Sequence, residues 1–558
     1  MKPMGRSGKA ISRTLDTHAT GESDGCVVPT KGSNKSDRVS LAENPEGRRP
    51  TKENTMQQTL APGAVPDMGE LSRLHRVREV ARQDKRVQFT TLLHHVTMDR
   101  LTASFFALRR EASPGVDGVT WKSYAKDLST RLAELHQRVH RGTYRAQPSK
   151  RAYIAKDDGR LRPLGMAALE DKIVQHAVVT VLNTIYEVDF AGFSYGFRPQ
   201  RNQHQALDAL WVGLMRKRVN WVLDADIRGF FDTIDHEWLM QFVAHRIADR
   251  RVLRLIRQWL RAGVVEDGRW SETTVGTPQG AVVSPLLANI YLHYVFDRWV
   301  QHWRTHHATG DVIVVRYADD IVMGFQHRHD AERCLAAWRE RLARFGLALH
   351  PDKTRLLEFG RYAASDRQRR GDGKPESFEF LGFTHRCGKT RSTDRFWVHR
   401  HSSVTRLRKK LAAVKAELRR RWHDPVPKVG QWLRRVVQGF FNYHAVPGNW
   451  ERLRCFSREV CRMWFRRLRR RSQRRHITWA RFAPVAAFWY PAHAFSIPIP
   501  TRASTPCIRG RSRMREFRSY GSVRGAPGNR RSYRDSNKVS EASSQSIARL
   551  VRRSLCGA

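Results

Sequence analysis

Two short runs of carboxylates stand out in a strongly basic chain. Asp224-Ala225-Asp226-Ile227 ends an apolar stretch, and Tyr317-Ala318-Asp319-Asp320 lies between two β-rich runs, 312–315 and 321–325. Residues two apart on a strand share a face, so Asp224 and Asp226 point the same way unless the strand end bends. The Tyr-Ala-Asp-Asp segment reads as the tip of a hairpin. Adjacent like charges at a tip repel, and a divalent cation reverses that sign. Mg²⁺ prefers hard oxygen ligands and needs only one or two carboxylates, taking the rest from water and substrate phosphates. Two such ions about 4 Å apart can stabilise both the attacking and the leaving oxygen of an in-line displacement. The plainer reading makes Asp319 and Asp320 polar turn residues, and spacing alone does not separate the two.

The rest of the chain favours a polyanionic partner. Of 558 residues, 101 are Lys or Arg and 53 Asp or Glu, a formal net charge of +48. Phosphates would relieve that self-repulsion by taking up the cations and releasing counterions. The excess is uneven: residues 401–558 hold 37 Lys and Arg against 7 Asp and Glu, a net of +30. The seven cysteines are scattered with no CxxC pair, which supports neither a disulfide scaffold nor a zinc ribbon and suggests a reducing compartment. No apolar segment follows the basic MKPMGRSGKAISRTL, so a secretory signal is not expected. The most apolar run, 281–296, is broken by Ser284, Pro285, Asn289 and His293, and no membrane span is expected.

The carboxylates need strands to hold them. WVLDADI (221–227) and DVIVVRYADDIVMGF (311–325) are the strand candidates, within helices and short strands that alternate to about residue 390. Residues 1–70, rich in Gly, Ser, Thr, Lys, Glu and Pro, are expected to be disordered. RLRKKLAAVKAELRRRW, QWLRRVVQGFFNYHA and REVCRMWFRRLRRRSQRR read as three basic amphipathic helices, and beyond about 485 the sequence turns irregular. The segment from Gly382 to Gly388-Lys389-Thr390 mimics a phosphate loop, but five residues separate the glycines where four are required.

In order along the chain, SPGVDGVTW (113–121), RAYIAKDDGRLRPLGMAALEDKIVQ (151–175), FSYGFRPQRNQHQAL (193–207), WVLDADIRGFFDTIDH (221–236), GTPQGAVVSPLLANIYL (276–292), RYADDIV (316–322), GLALHPDKTRLLEFG (346–360) and FEFLGF (378–383) resemble the motifs of group II intron-encoded reverse transcriptases, the maturase family. The resemblance runs from about residue 90 to 480. It implies an α/β (α+β) right-hand polymerase fold. Fingers and palm would occupy 71–395, a helical thumb or maturase domain 396–485, and a basic tail of nucleic-acid-binding character 486–558.

The same resemblance implies roles. Asp226 and Asp319 would ligate two catalytic Mg²⁺ ions, with Asp320 completing the acidic site; Asp224 matches no catalytic position and reads as a strand-end or supporting group. Lys156 and Arg162 match a pair that grips the triphosphate, as a point charge and a fork suit that task. Arg198 reads as nucleotide- or template-facing, and Gln279 as a nucleotide-pocket contact shaped by Pro278 and Gly280. Phe230 or Phe231 would wall the sugar site against a ribose 2′-OH, or simply pack the palm. Lys353 is a candidate general acid for the departing pyrophosphate, or a backbone-covering lysine. Arg434, Arg435, Arg466, Arg467, Arg469 and Arg470, interleaved with Trp432, Phe441, Trp464 and Phe465, suit an RNA surface, with the aromatics largely core.

The expected activity is RNA-directed DNA synthesis by a protein that also binds its intron RNA, assists splicing and supports mobility at a DNA target. Its partners would be intron RNA, a DNA target or primer and dNTPs, with no membrane and a homodimer as one oligomeric option. The expected location is a bacterial cytoplasm, nucleoid-associated, with an organelle as the other option. A maturase with a dispensable polymerase, or a domesticated retron-type defence enzyme, are the alternatives. The family's optional C-terminal endonuclease is not expected, since no Cys/His constellation follows residue 485.

Overall fold

The computed structural model describes residues 68–155, 161–390, 393–471 and 477–489. The expected disordered N-terminus before residue 68 and the tail after 489 lie outside them. Two compact units divide between Lys374 and Pro375. Among the described residues, no helix is long and apolar enough to cross a membrane.

Eight strands of the first unit make two sheets. β1 (Ser149–Ala155), β2 (Leu161–Met166), β4 (Val264–Glu266) and β5 (Arg269–Ser271) are ordered β2-β1-β4-β5; β3 (Trp221–Asp226), β6 (Val312–Tyr317), β7 (Asp320–Phe325) and β8 (Arg355–Glu358) are ordered β6-β7-β3-β8. The second sheet is antiparallel throughout. Strands β6 and β7 are mostly apolar on both faces because both faces are covered, and residues 313–316 and 321–325 are all buried. The helix Gln203–Arg216 comes close to this sheet at Gly213, where a Cβ would lie 2.7 Å from the Ile313 Cδ1. Helix Leu169–Asp189 is apolar nearly all round, as a buried helix must be. Its Gln175 side chain accepts from the backbone N–H groups of Val282 and Val283, at 3.0 and 3.4 Å. That seats the start of helix Ser284–Leu292.

In the second unit, β9 (Ser377–Phe380), β10 (Phe383–Lys389) and β11 (Phe396–Ser402), ordered β11-β10-β9, precede helices Val404–Arg420, Val426–His444, Trp450–Arg469 and Trp479–Trp489. The first three are the expected basic helices. The fourth departs from the irregular sequence expected past 485. It forms despite Pro484 because Phe482 and Ala486 bury against the bundle, Phe482 edge-on to Trp464 at 5.3 Å. Phe440 stacks on Phe456 at 3.8 Å in the centre of the bundle. The small sheet belongs with these helices, although the sequence suggests a boundary near 395. Buried Asn449 accepts from the Ser402 N–H at 2.9 Å and donates to the Ser402 hydroxyl at 2.7 Å, and the Tyr443 hydroxyl donates to the Leu381 carbonyl at 3.0 Å. The mimic of a phosphate loop is β10 itself.

Candidate active site

Strand register assembles the carboxylates. Asp226, the last residue of β3, pairs directly with Asp320, the first of β7, while Tyr317 of β6 faces Asp320 from the other side. Asp319 lies between them in a two-residue hairpin loop whose first residue, Ala318, has φ +57°. A two-residue loop needs positive φ to follow the strand twist. All three carboxylates are partly exposed. The Lys353 Nζ sits 2.5 Å from the Asp226 Oδ2, and the Asp226 carbonyl accepts from the His350 N–H at 2.8 Å. Asp226 thus already carries a cation at the place where a metal would compete. Asp224 lies opposite Arg355 of β8 and pairs with it at 3.5 Å, the part of a strand-supporting group. Among the described residues, no three His, Cys, Asp or Glu side chains form a ready-made metal cage. A hard cation that brings substrate phosphates as ligands needs no such cage.

The loop is braced from below. Arg316 is fully buried, with Nε 2.7 Å and Nη2 2.5 Å from the two oxygens of Asp297. Burial raises the pKa of the Asp297 carboxyl, and the guanidinium beside it opposes that rise. Removing either partner would strand a buried charge, at a cost of about 3–5 kcal/mol. Asp297 ends a π-helical turn, His293–Asp297, the kind of irregularity often found at functional sites. Sequence reasoning passed over this pair. The available signal was a lone arginine in the apolar run VIVVRY.

A second cluster joins the β1–β2 hairpin to the Pro-Gln-Gly loop. The Arg162 Nε donates to the Gln279 Oε1 at 2.6 Å, and the Gln279 Nε2 donates to the Asp232 Oδ1 at 3.0 Å. Asp232, missed in the sequence, holds the far end of the chain. The backbone fixes the loop. The Gly165 N–H donates to the Gln279 carbonyl at 2.7 Å, the Thr277 N–H donates to the Phe231 carbonyl at 2.7 Å, and Gly280 takes φ +117° against the Gly165 carbonyl. Lys156, the expected partner of Arg162, lies outside the described residues. Phe230 is 2% exposed and packs near Tyr291, whereas Phe231 keeps 9% and meets Phe197 edge-on at 6.2 Å.

Arg198, expected to face a nucleotide or template, is turned inward. Its guanidinium is buried, paired with Glu187 at 3.0 Å, and donates to the carbonyls of Ala191 and Ser194, both at 2.8 Å. These contacts anchor the Ser-Tyr-Gly-Phe-Arg-Pro loop.

In the second unit Arg434, Arg435, Arg466, Arg469 and Arg470 are exposed, while Phe441 and Trp464 are buried and Trp432 and Phe465 half-buried. Arg467 differs from the other arginines. It lies over the Trp422 ring at 4.7 Å.

The family model described as "Reverse transcriptase (RNA-dependent DNA polymerase)" matches residues 154–385. Protein YkfC of Escherichia coli is 36% identical over 279 residues, covering 44% of this chain and 72% of YkfC. Group II intron-encoded protein LtrA of Lactococcus lactis is 43% identical over 171 residues, 30% of this chain and 28% of LtrA. Nuclear intron maturase 2 of Arabidopsis thaliana is 25% identical over 236 residues, 35% of this chain and 30% of that protein.

Proposed function

The chain belongs to the group II intron-encoded reverse transcriptase and maturase family, and from that premise we propose that it copies its own intron RNA into DNA and binds that RNA to assist splicing. The first unit serves as fingers and palm and the second as thumb and maturase domain. One observation carries the polymerase reading: the β3–β7 register sets Asp226 against Asp320 beside a loop bearing Asp319.

The reaction is attack of a primer 3′-hydroxyl on the α-phosphate of a dNTP, with pyrophosphate leaving. Asp226 and Asp319, with Asp320 beside them, would hold two Mg²⁺ ions, whose chemistry is to stabilise charge on the attacking and leaving oxygens. Arg162, fixed by Gln279, offers a forked donor for the triphosphate. Phe231, the more accessible of the two phenylalanines, would wall the sugar. Lys353 stands against Asp226, which suits a cation that holds the carboxylate until metal and nucleotide arrive. A general acid for pyrophosphate would have to leave that contact. The exposed arginines of the last helices supply phosphate contacts for intron RNA, and a DNA primer or target is the second polyanion.

Primer extension on an RNA template tests this reading. With Mg²⁺ the protein is expected to make cDNA, and chelation to stop it. Tight RNA binding without extension would leave a maturase with no polymerase.

A further inference from the structure

Beneath the hairpin that carries Asp319 lies a buried polar network centred on Arg316. Arg316 spends Nε and Nη2 on Asp297, and both side chains are completely buried. Its Nη1 donates to the Asn289 Oδ1 at 2.9 Å and to the Ala318 carbonyl at 3.2 Å. The Asn289 Nδ2 in turn donates to the Gly196 carbonyl at 2.8 Å. Gly196 presses on the same turn: a Cβ there would lie 2.3 Å from the Ala318 amide nitrogen. The backbones are also joined, through the Tyr195 N–H to the Arg316 carbonyl and the Arg316 N–H to the Phe193 carbonyl, both at 2.9 Å.

The Ala318 carbonyl belongs to the peptide that continues into Asp319. Gripping it fixes the backbone from which the Asp319 carboxylate projects. Ala318 also sits at φ +57°, a conformation unfavourable for any residue with a Cβ, so the turn needs outside support to stay there. A buried ion pair is weak as a source of stability, since an apolar pair of similar size serves as well. What it provides here is direction, because a planar guanidinium can point one nitrogen at the turn while two others are locked on a carboxylate.

We infer that Arg316, oriented by Asp297 and Asn289, is a positioning residue that holds the Ala318–Asp319 turn in its left-handed form and so sets Asp319 for metal binding. The inference rests on the polymerase reading above.

The test uses the full chain in RNA-templated single-nucleotide extension. Asn289→Ala leaves the charged pair intact but removes the acceptor that aims Nη1 and the tie to Gly196. Arg316→Lys keeps the charge and loses the fork. Both are expected to lower kcat by about tenfold to a hundredfold, the scale of a small misplacement of reacting groups. KM for dNTP and RNA affinity should stay near native, and the Mg²⁺ concentration for half-maximal rate should rise. Adding Ala318→Gly to Asn289→Ala should recover rate, because glycine adopts positive φ without a brace. Native kcat and Mg²⁺ dependence in Asn289→Ala would overturn the inference. So would loss of the folded state in that variant, or a rate loss that Ala318→Gly leaves unchanged, since either makes the network a general core support. If the native chain itself extends no primer, the polymerase reading fails instead.

Discussion

Phe231 and Phe230 are neighbours of the same type with different work. Gly229, at φ +58°, starts the short helix Phe230–Thr233 and sets its phase. That phase buries Phe230 to 2% and leaves Phe231 slightly more accessible, at 9%, beside Phe197. If Phe231 walls the sugar, Phe231→Val should lower discrimination against ribonucleotides about tenfold to a hundredfold, the scale of a few methylene-sized contacts. The ratio of kcat/KM for dNTP and rNTP insertion measures it, and an unchanged ratio would place the gate elsewhere. Phe230→Ala should instead cost about 3–5 kcal/mol of stability with the ratio intact. The sequence showed two aromatics in the right place and could not choose, since helix phase was the missing quantity. Arg198 was misread for a related reason. Its partner Glu187 sits on the preceding helix, and nothing in the spacing shows that the two side chains meet.

The hairpin that carries the site was legible as an element. Two continuous apolar runs flank the Asp-Asp pair, and the short polar tip between them marks where the hairpin turns. The loop that braces it was not, because Gly196 and Ala318 are distant in sequence and meet only when Arg316 bridges to Phe193 and Tyr195. Gly196→Ala forces a Cβ to within 2.3 Å of the Ala318 nitrogen, so the turn or the loop must move. Polymerase rate should fall at least about tenfold while RNA affinity stays near native. Extension kinetics alongside RNA titration would show it, and native rate would mean that the loop yields without disturbing the turn. The β9–β11 sheet was also hard to place, because the bonds of Asn449 and Tyr443 tie it to helices that follow it in the chain.

For the whole molecule, the basic excess and its concentration after residue 400 were plain from composition, and the exposed arginines of the last helices fit that expectation. Burial adds a pH dependence that composition does not show. His293 and His385 are pushed down to about 3 and His95 to about 4 by burial, from 6.5. Their unfolded forms bind protons first, so their stability contribution is present above pH 6.5 and is lost as pH falls below it. Asp171, raised to about 6 by burial, acts in the opposite sense and favours the folded state towards lower pH through that range. Burial also raises the carboxyls of Asp189 and Asp297 and lowers His136 and His401, so among the described residues the lowered histidines outnumber the raised carboxyls. Tm should fall between pH 7 and pH 5, and His385→Leu should flatten the fall in thermal unfolding scans, whereas an unchanged slope would remove His385 from the account. The claim on which everything else depends is that the acidic pocket makes DNA while the basic surface holds RNA. Primer extension on an RNA template, native chain against Asp319→Ala, with RNA affinity measured in parallel, tests it most directly. The account predicts cDNA from the native chain, at least about a thousandfold less from the variant, and equal RNA binding; undiminished synthesis by Asp319→Ala would contradict it.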